Sequence, residues 1–541
     1  MRLDLQQPYW AMATAYIVSQ PIAAAVRSKA IQRLLGTLLG ASAAVVMVPR
    51  LVNAPLLLSL ALSLWVGGCL AISLLDRSPR SYTMMLAGYT AAIIGFGSVD
   101  RPEMVFDLAV ARGEEISMGI LCAALAHSLW FPQPVGEVLR ERIQHWLGEA
   151  DHWAQDILGG KEAAASRDRV RLAAAASEIH LLATHLPYDT SALREAGGVV
   201  HALRDRILML IPLLSSLADR LAALRGERPQ LDPDTQSLLA RVGQWLDKGS
   251  PAEEADALKR DLAALTAATE RASWYGLNRI GLCSRLQEMV ETLSEGRALL
   301  AHLHAPDKPL AAELQRISAS AEERPLHSDM GIALTSGAAA VIATLLSAFI
   351  WIGLGTAQGG AAPVIAAVMC CVFATMDDPT PGIKLFAVAS SAAIALAAIY
   401  LFAVFPAISS YPMLVLTLAP TLLPIGVLSL HPRQAMLALF TMLNFCSFLA
   451  LQEHFDPDFA GFLNANLAQF IGVFIAIYVT RAMRSMSAGA SARRMLRQTW
   501  QGLARLAQGR VGEETQAFLS RQVDRIGLLT PRLAGVEDEE L

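Results

Sequence analysis

Long apolar runs alternate with short polar connections along this chain, and one extended charged region interrupts the pattern. Gly331–Met376 and Leu385–Leu430 contain no Asp, Glu, Lys or Arg. A helix that crosses a membrane needs about 20 apolar residues, so each run predicts two spans joined by a turn. Glycine and proline mark these turns at Gly353–Pro363 and Phe405–Pro412. The pattern therefore predicts an all-α polytopic membrane protein.

The apolar segments form two groups, which predict two transmembrane blocks of five and six helices. The first block, residues 1–133, contains Pro8–Val26, Leu34–Val48, Pro55–Leu75, Tyr82–Ser98 and Leu108–Phe131. The second block, residues 330–484, contains Gly331–Gly355, Gly359–Met376, Leu385–Phe405, Pro412–Leu430, Gln434–Gln452 and Phe459–Thr480.

Residues 134–329 separate the two blocks and predict a helical domain, because charges alternate there with apolar residues at helical spacing. Short cytoplasmic loops of membrane proteins carry an excess of Lys and Arg. When the loops alternate across the membrane, this excess collects on the side of the helical domain and of the tail, residues 485–541. We therefore predict that both are cytoplasmic. The loop cations are Arg27, Lys29, Arg33, Arg77, Arg80, Lys384 and Arg433.

Short matches between the blocks predict that they are repeats. Ser78–Thr90 parallels His431–Leu443, and Phe106–Ala111 parallels Phe455–Ala460, in the same order and at similar spacing. Duplicated halves are common in transporters. The first block then lacks the opening helix of a six-helix repeat, and we expect the chain to start late.

Composition agrees with a membrane protein and disfavours other classes. Charged residues make up 17% of the chain, against roughly a quarter in soluble proteins. The cysteines and histidines show no metal-ligand spacing, so we expect no metal and no cofactor. Neither a phosphate-binding loop nor a nucleophile–base arrangement is found, and the net charge of −4 does not indicate a nucleic-acid partner. We therefore predict that the protein is not an enzyme.

Three charged residues interrupt the last apolar segment of the first block, in the stretch "ARGEEISMG". A charge at membrane depth costs roughly 2.5–3.5 kcal/mol on insertion scales, so these residues require an explanation. Arg112 and Glu115 lie three residues apart and can pair on one helix face, whereas Glu114 points elsewhere. They form a structural ion pair, or they serve transport, or they reach the surface. In the transport interpretation, Arg112 binds a substrate carboxylate and a glutamate carries the coupling proton.

Other polar or aromatic residues in the spans have two interpretations each. The amides in the spans make hydrogen bonds between helices or line a polar path; they are Asn444, Asn464, Asn466 and Gln469. Asn464 roughly matches the place of Arg112 in the repeat. Tyr9 and Trp10 belong to an interfacial belt or stack on an aromatic substrate. The pair of glycines in Gly36–Gly40 is typical of close helix packing.

A further set of charges lies in two predicted cytoplasmic loops. These residues act in topology and helix capping, or they form an intracellular gate in which an arginine of one half meets the acids of the other. The set consists of Asp76, Arg77, Arg80, Asp377 and Asp378.

The sequence resembles a known family in several segments. "PYWAMATAYIVSQP" (Pro8–Pro21), followed by "RLLGTLLGA" (Arg33–Ala41), resembles the fusaric acid resistance family of bacterial inner-membrane proteins. Leu75–Phe96 and Ala111–Pro132 are similar to later segments of its first half. The resemblance implies two six-helix blocks around a cytoplasmic helical domain. It also implies export of small organic anions such as aromatic carboxylic acids, often with a periplasmic adaptor (membrane fusion) protein as partner.

Three functions remain open at this point. A proton-coupled exporter of aromatic carboxylates needs a titratable group at membrane depth, which Glu114 or Glu115 provides. An organic-anion channel needs cations along a pore but no proton acceptor. A membrane-anchored interaction protein would not need eleven spans. The sequence favours the exporter, located in the bacterial inner membrane, and it allows a homo-oligomer with the pore within or between subunits.

Overall fold

Helices account for every regular element in the part of the chain that the computed structural model describes, and no β-strand occurs there. The chain divides into two compact units. Met1–Pro132 and Ser328–Ser487 form one, here called the membrane unit, and Gln133–His327 and Ala488–Leu541 form the other, the insert unit. The described residues are 7–19, 23–130, 135–160, 178–179, 182–189, 192–228, 230–270, 272–306, 308–322, 329–376, 378–431, 433–451, 458–484, 488–508, 522 and 525.

The α-helices are numbered here in chain order. The first part of the membrane unit contains α1 (Tyr9–Val18), α2 (Ala23–Leu51), α3 (Pro55–Leu75), α4 (Ser81–Gly97) and α5 (Val105–Trp130). The insert unit contains α6 (Val135–Leu158), α7 (Gly197–Glu227), α8 (Pro233–Asp247), α9 (Ala252–Ala268), α10 (Trp274–His304) and α11 (Ala312–Glu322). The second part of the membrane unit contains α12 (Met330–Leu354), α13 (Ala361–Val372), α14 (Thr380–Ile399), α15 (Tyr411–Leu428), α16 (Ala435–Leu449) and α17 (Phe459–Arg484), and α18 (Ala488–Ala507) follows in the insert unit.

Seven helical segments of the described chain are long and apolar enough to cross a membrane. One of these, Gly197–Glu227, lies in the insert unit and carries buried Arg204 and Asp205 within its length. The other six lie in the membrane unit and are Ala24–Leu51, Pro55–Leu75, Met330–Leu354, Thr380–Ala407, Tyr411–Leu428 and Phe459–Met483. These helices confirm an all-α polytopic membrane protein.

Several predicted spans form helices shorter than a membrane crossing. α1 has 10 residues, α13 has 12 and α16 has 15. At a rise of 1.5 Å per residue, α1 is about 15 Å long, roughly half of the hydrocarbon thickness. The predicted segment Pro8–Val26 is divided between α1 and α2, because Pro21 disfavours a helical conformation at the residue before it. The arrangement of five plus six spans therefore stays a prediction.

The prediction that Arg27, Lys29 and Arg33 lie in a loop is wrong. All three lie inside α2, which begins at Ala23. Arg27 is exposed, Lys29 is half-buried, and Arg33 is only 4% exposed. Charged residues before an apolar run normally mark a helix end, but here the side chain of Arg33 is accommodated inside the protein. These three residues therefore give no information on the orientation of the chain.

Glycines let the helices of the membrane unit approach each other closely. Gly36 and Gly40 lie against the backbone of α4, where an added Cβ would meet the carbonyl oxygens of Thr83 and Ala87, each at 2.6 Å. This confirms the predicted packing role of the pair. Close contacts between small residues are the main source of helix association in lipid, where hydrophobic burial contributes little.

The two parts of the membrane unit share one core. α3 packs on α12, and a Cβ at Gly67 would lie 2.5 Å from the carbonyl oxygen of Gly337. Buried side chains from both parts belong to the same cluster, including Leu62 and Leu70 from α3 and Cys371 from α13. The two parts are therefore packed as one body.

A buried ionic network stabilises the insert unit. The carboxylate of Asp151 on α6 accepts hydrogen bonds from Arg297 on α10 and from the hydroxyl of Ser250, the latter at 2.9 Å. Arg297 Nε also donates to Ser250 Oγ at 3.1 Å. Burial raises the pKa of Asp151, and Arg297 and Ser250 oppose this effect. The network joins two long helices to the turn after α8.

We expect Gly40→Ile to destabilise the membrane unit, because its side chain would overlap the α4 backbone. Overpacking costs about 1–3 kcal/mol, and a clash with backbone lies at the upper end. Gly68→Ile is the matched control, since Gly68 is exposed and a Cβ there would meet nothing within 4 Å. Thermal unfolding in detergent measures both variants. Equal unfolding temperatures for the two would contradict the packing role of Gly40.

Candidate functional site

A cavity of about 1370 Å³ lies in the membrane unit between its two parts. The first part contributes residues of α1, α2, α4 and α5, and the second part contributes residues of α13 to α17 and of the connections between them. Small-molecule sites usually occupy roughly 300–1,000 Å³, so this cavity is larger than most. It is the candidate site of the protein.

Arg33 supplies a positive charge to the cavity wall. Its guanidinium donates hydrogen bonds to the hydroxyl of Tyr82 at 2.9 Å and to Oγ1 of Thr14 at 3.2 Å. Tyr89 lies beside the same group. Within the described chain, Arg33 forms no ion pair, and its Nε has no hydrogen-bond partner. Among the described residues, the hydrogen-bond acceptors of this buried cation are therefore neutral hydroxyls.

Arg112 supplies a second positive charge. It is 6% exposed, and its guanidinium carbon lies 4.2 Å from the centroid of the Trp10 ring, in a cation–π contact. Its Nε has no hydrogen-bond partner among the described residues. Arg33 is close enough for the two charges to repel each other. The wall thus concentrates positive charge, and no carboxylate of the described chain lies within 4.0 Å of either guanidinium.

The predicted ion pair between Arg112 and Glu115 is not formed within 4.0 Å in the described part of the chain. Arg112 turns toward Trp10 instead, while Glu115 accepts a hydrogen bond from the backbone amide of Gln7 through Oε1. Glu115 is fully buried, and its Oε2 has no partner among the described residues. It does not line the cavity, but Arg112 lies near enough to act on its charge. Glu114 is exposed.

The other predicted site residues divide between cavity and surface. Tyr9, Trp10 and Asn444 line the cavity. Asn464 is exposed and does not line it, whereas Asn466, two residues later on α17, does. Asn466 donates to the carbonyl of Phe462 at 2.7 Å, and its own Oδ1 has no partner among the described residues.

Two acids of the predicted gate bind backbone amides two residues further along the chain. Asp76 accepts a hydrogen bond from the backbone amide of Ser78 at 2.8 Å, and Asp378 accepts one from that of Thr380 at 2.9 Å. No ion pair within 4.0 Å joins Asp378 to Arg80. Arg77 and Arg80 lie in the connection between α3 and α4. Asp377 lies outside the described residues. The gate stays a prediction.

Phenylalanine rings form the opposite wall of the cavity, here called the aromatic wall and defined as Phe402, Phe448 and Phe462. Phe402 lies in a π-helical turn, Tyr400–Val404, that continues α14. Its ring centroid is 5.8 Å from that of Phe462, in an edge-to-face arrangement. π-Helical turns inside α-helices often occur at functional sites because they redirect side chains.

Sequence reasoning missed Arg33, Lys29, Tyr82 and Tyr89, which all line the cavity. Two spacings could have indicated them. Lys29 and Arg33 are four residues apart and share one face of α2, and Tyr82 and Tyr89 are two turns apart on α4. In the described part of the chain, no group of three or more His, Cys, Asp or Glu residues is placed to hold a metal ion.

Comparison with known proteins identifies relatives along nearly the whole chain. The chain is 28% identical over 514 residues to the p-hydroxybenzoic acid efflux pump subunit AaeB of Edwardsiella ictaluri, which covers 91% of this chain and 75% of that protein. It is 25% identical over 509 residues to the protein of the same name from Pantoea ananatis, with the same coverage. The identity to that of Yersinia pestis is 23% over 546 residues, or 98% of this chain and 80% of the relative.

The model of the Fusaric acid resistance protein family matches residues 1–540. The match includes all the helices that form the cavity, in agreement with the resemblance in the first 135 residues. The chain belongs to the fusaric acid resistance protein family.

Proposed function

We propose that this protein is a secondary transporter that exports small aromatic carboxylic acids across a bacterial inner membrane. One observation carries the proposal: two buried guanidinium groups, Arg33 and Arg112, face a large cavity without a carboxylate partner. The printed names of the relatives, efflux pump subunits for p-hydroxybenzoic acid, support the substrate class.

Burial of the two guanidinium groups has a cost in free energy. Burying an ion in an apolar environment costs several kcal/mol unless an opposite charge compensates it. A substrate carboxylate supplies that charge, and its hydrogen bonds to a guanidinium are stronger than those between neutral groups. Without an anion the site is thus electrostatically incomplete, and an organic anion completes it.

Two short helices support a transport site at this position. α1 and α13 occupy corresponding places in the proposed repeats, and both line the cavity. Short or interrupted membrane helices in matching positions of two halves typically mark the binding site of a transporter.

The packing partners of the helices support the proposed duplication. In the first part α1 packs on α5, and α2 packs on both α4 and α5. In the second part α13 packs on α17, and α14 packs on both α16 and α17. The contacts between the parts also correspond, since α4 packs on α13 and α1 packs on α16. We propose on this basis that residues 1–133 and 330–484 are repeated blocks.

Glu115 is the proposed site of the coupling proton. A carboxyl group that is fully buried and has one oxygen without a partner can change its protonation state with little rearrangement of its neighbours. Its position one turn from Arg112 links it to the cavity. Export of a carboxylate would then be coupled to the proton gradient.

Orientation and assembly complete the proposal. Arg77, Arg80 and Arg433 lie in connections between membrane helices, and the positive-inside rule assigns these connections to the cytoplasm. The insert unit and residues 485–541 would lie on the same side. Because the relatives are named as pump subunits, a periplasmic adaptor protein or a second copy of the chain is a proposed partner.

We expect Glu115→Gln to abolish gradient-driven transport and to leave downhill flux intact, because the amide cannot carry a proton. Inside-out vesicles with an imposed pH gradient and labelled 4-hydroxybenzoate measure both quantities. Glu114→Gln is the matched control, since Glu114 is adjacent but exposed. Downhill flux in the unaltered protein that ignores the pH gradient would instead indicate an anion channel.

We expect Arg112→Gln to raise the KM for 4-hydroxybenzoate about three- to tenfold. Because Trp10 covers one face of this guanidinium, we assign Arg112 only the contribution of an ordinary hydrogen bond, about 0.5–1.5 kcal/mol. Initial rates of uptake into the same vesicles give the KM. Arg101→Gln removes an exposed arginine shortly before the same helix and should leave the KM unchanged. An unchanged KM in Arg112→Gln would contradict its role in substrate binding.

A further inference from the structure

The cations and the phenylalanine rings of the cavity come from different parts of the membrane unit. All lysine and arginine side chains that line the cavity in the described chain, Lys29, Arg33 and Arg112, belong to the first part. All lining phenylalanine rings, including those of the aromatic wall, belong to the second part. The first part therefore supplies the cations, together with tyrosine and tryptophan rings, and the second part supplies the phenylalanine rings.

Of the two guanidiniums, Arg33 is the better placed to bind an anion. Glu115 lies near enough to Arg112 to offset part of its charge, and the Trp10 ring covers one of its faces. Arg33 interacts with the phenols of Tyr82 and Tyr89, which are neutral when protonated, and with the like charges of Lys29 and Arg112. More of the positive charge of Arg33 therefore remains for a ligand.

Hydrogen-bond donors surround Arg33. Tyr82 and Thr14 accept hydrogen bonds from its guanidinium, so the O–H of each hydroxyl remains available to donate. The Nε–H of Arg33 has no acceptor among the described residues. Lys29, one turn earlier on α2, also lines the cavity. Such a set matches the oxygens of a carboxylate, which accept hydrogen bonds only.

One acidic side chain, Asp458, lies among the described lining residues. It accepts a hydrogen bond from the backbone amide of Ala460 at 3.0 Å, at the start of α17. It belongs to the second part and caps a helix there. No carboxylate of the described cavity lining therefore comes from the first part, which carries the cations.

The aromatic wall suits the ring of the same ligand. Phe402, Phe448 and Phe462 are each half-buried, so part of each ring is open to the cavity. Phe402 and Phe462 already pack edge to face, and a third ring can extend such packing. Aromatic pairs contribute beyond the area that they bury, which favours a planar ring over a saturated one.

We propose that Arg33, held by Tyr82 and Thr14, binds the carboxylate of the substrate while Phe402 and Phe462 hold its ring. The ligand then bridges the two parts of the membrane unit, with its charge on the first part and its apolar body on the second. This assignment rests on the proposed export of aromatic acids and names the residues that select them. A bridging ligand also links its occupancy to the relative position of the two parts.

Equilibrium binding to the full-length purified protein in lipid nanodiscs tests the carboxylate contact. We expect Arg33→Gln to weaken binding of labelled 4-hydroxybenzoate about tenfold or more, as the loss of hydrogen bonds to a charged group predicts. Tyr82→Phe, which leaves the guanidinium but removes one hydroxyl, should weaken it less. Arg27→Gln is the matched control, because Arg27 is an exposed arginine of the same helix. The unfolding temperature shows whether Arg33→Gln still folds. If it does not, the affinity of Tyr82→Phe for 4-hydroxybenzoate tests the carboxylate contact instead.

The ring contact needs a second comparison. We expect Phe402→Leu and Phe462→Leu to weaken binding of 4-hydroxybenzoate several-fold. The affinity for cyclohexanecarboxylate, measured by competition, should stay unchanged in both variants. Equal losses for both ligands, or none for either, would overturn the ring assignment. Binding that survives in Arg33→Gln but is lost in Arg112→Gln would overturn the carboxylate assignment and leave the proposed function intact. Absence of binding by the unaltered protein would refute both.

Discussion

Close contact between helix backbones is the interaction on which the rest of the membrane unit depends. Hydrocarbon offers helices little hydrophobic reason to associate, so association requires backbones near enough for dispersion contacts. Gly36 and Gly40 provide this between α2 and α4, and Gly67 and Gly337 provide it between α3 and α12. These contacts hold the helices of the membrane unit together. The polar side chains of its shorter and less regular helices can therefore face a shared cavity instead of lipid.

The close packing of these helices makes the burial of charge in the cavity wall tolerable. Arg33 lies on α2, one turn from the glycine that fixes this helix against α4, and Tyr82 and Tyr89 lie on α4 itself. The packing that brings the helices together therefore also brings the hydroxyls to the guanidinium. The proposed transporter needs a site that holds an anion without trapping it. Neutral hydroxyls around a cation suit this need better than a permanent carboxylate, which would compete with the substrate.

In the proposed binding mode, the separation of cations and phenylalanine rings between the two parts gives the substrate a direction in the cavity. A substrate bound in this way would direct its carboxylate toward α2 and its ring toward α17 and the π-helical turn after α14. Its strongest contacts would then require both parts of the membrane unit to be in place. Binding would then favour one relative position of the two parts over others. Such a differential interaction is what any ligand requires to shift a conformational equilibrium, and alternating access depends on such a shift.

The sequence by itself determined the class of the protein. Runs without charge predicted the membrane helices, Gly36–Gly40 predicted a packing face, and "ARGEE" marked a buried charge at Arg112. Only the tertiary structure decided which residues meet. Arg33 looked like a loop cation, and Asn464 looked equivalent to Arg112, because a linear pattern shows the period of a helix but not which face another helix covers. The neighbours of Arg33 are 19 and 49 residues away along the chain, and only packing brings such positions together.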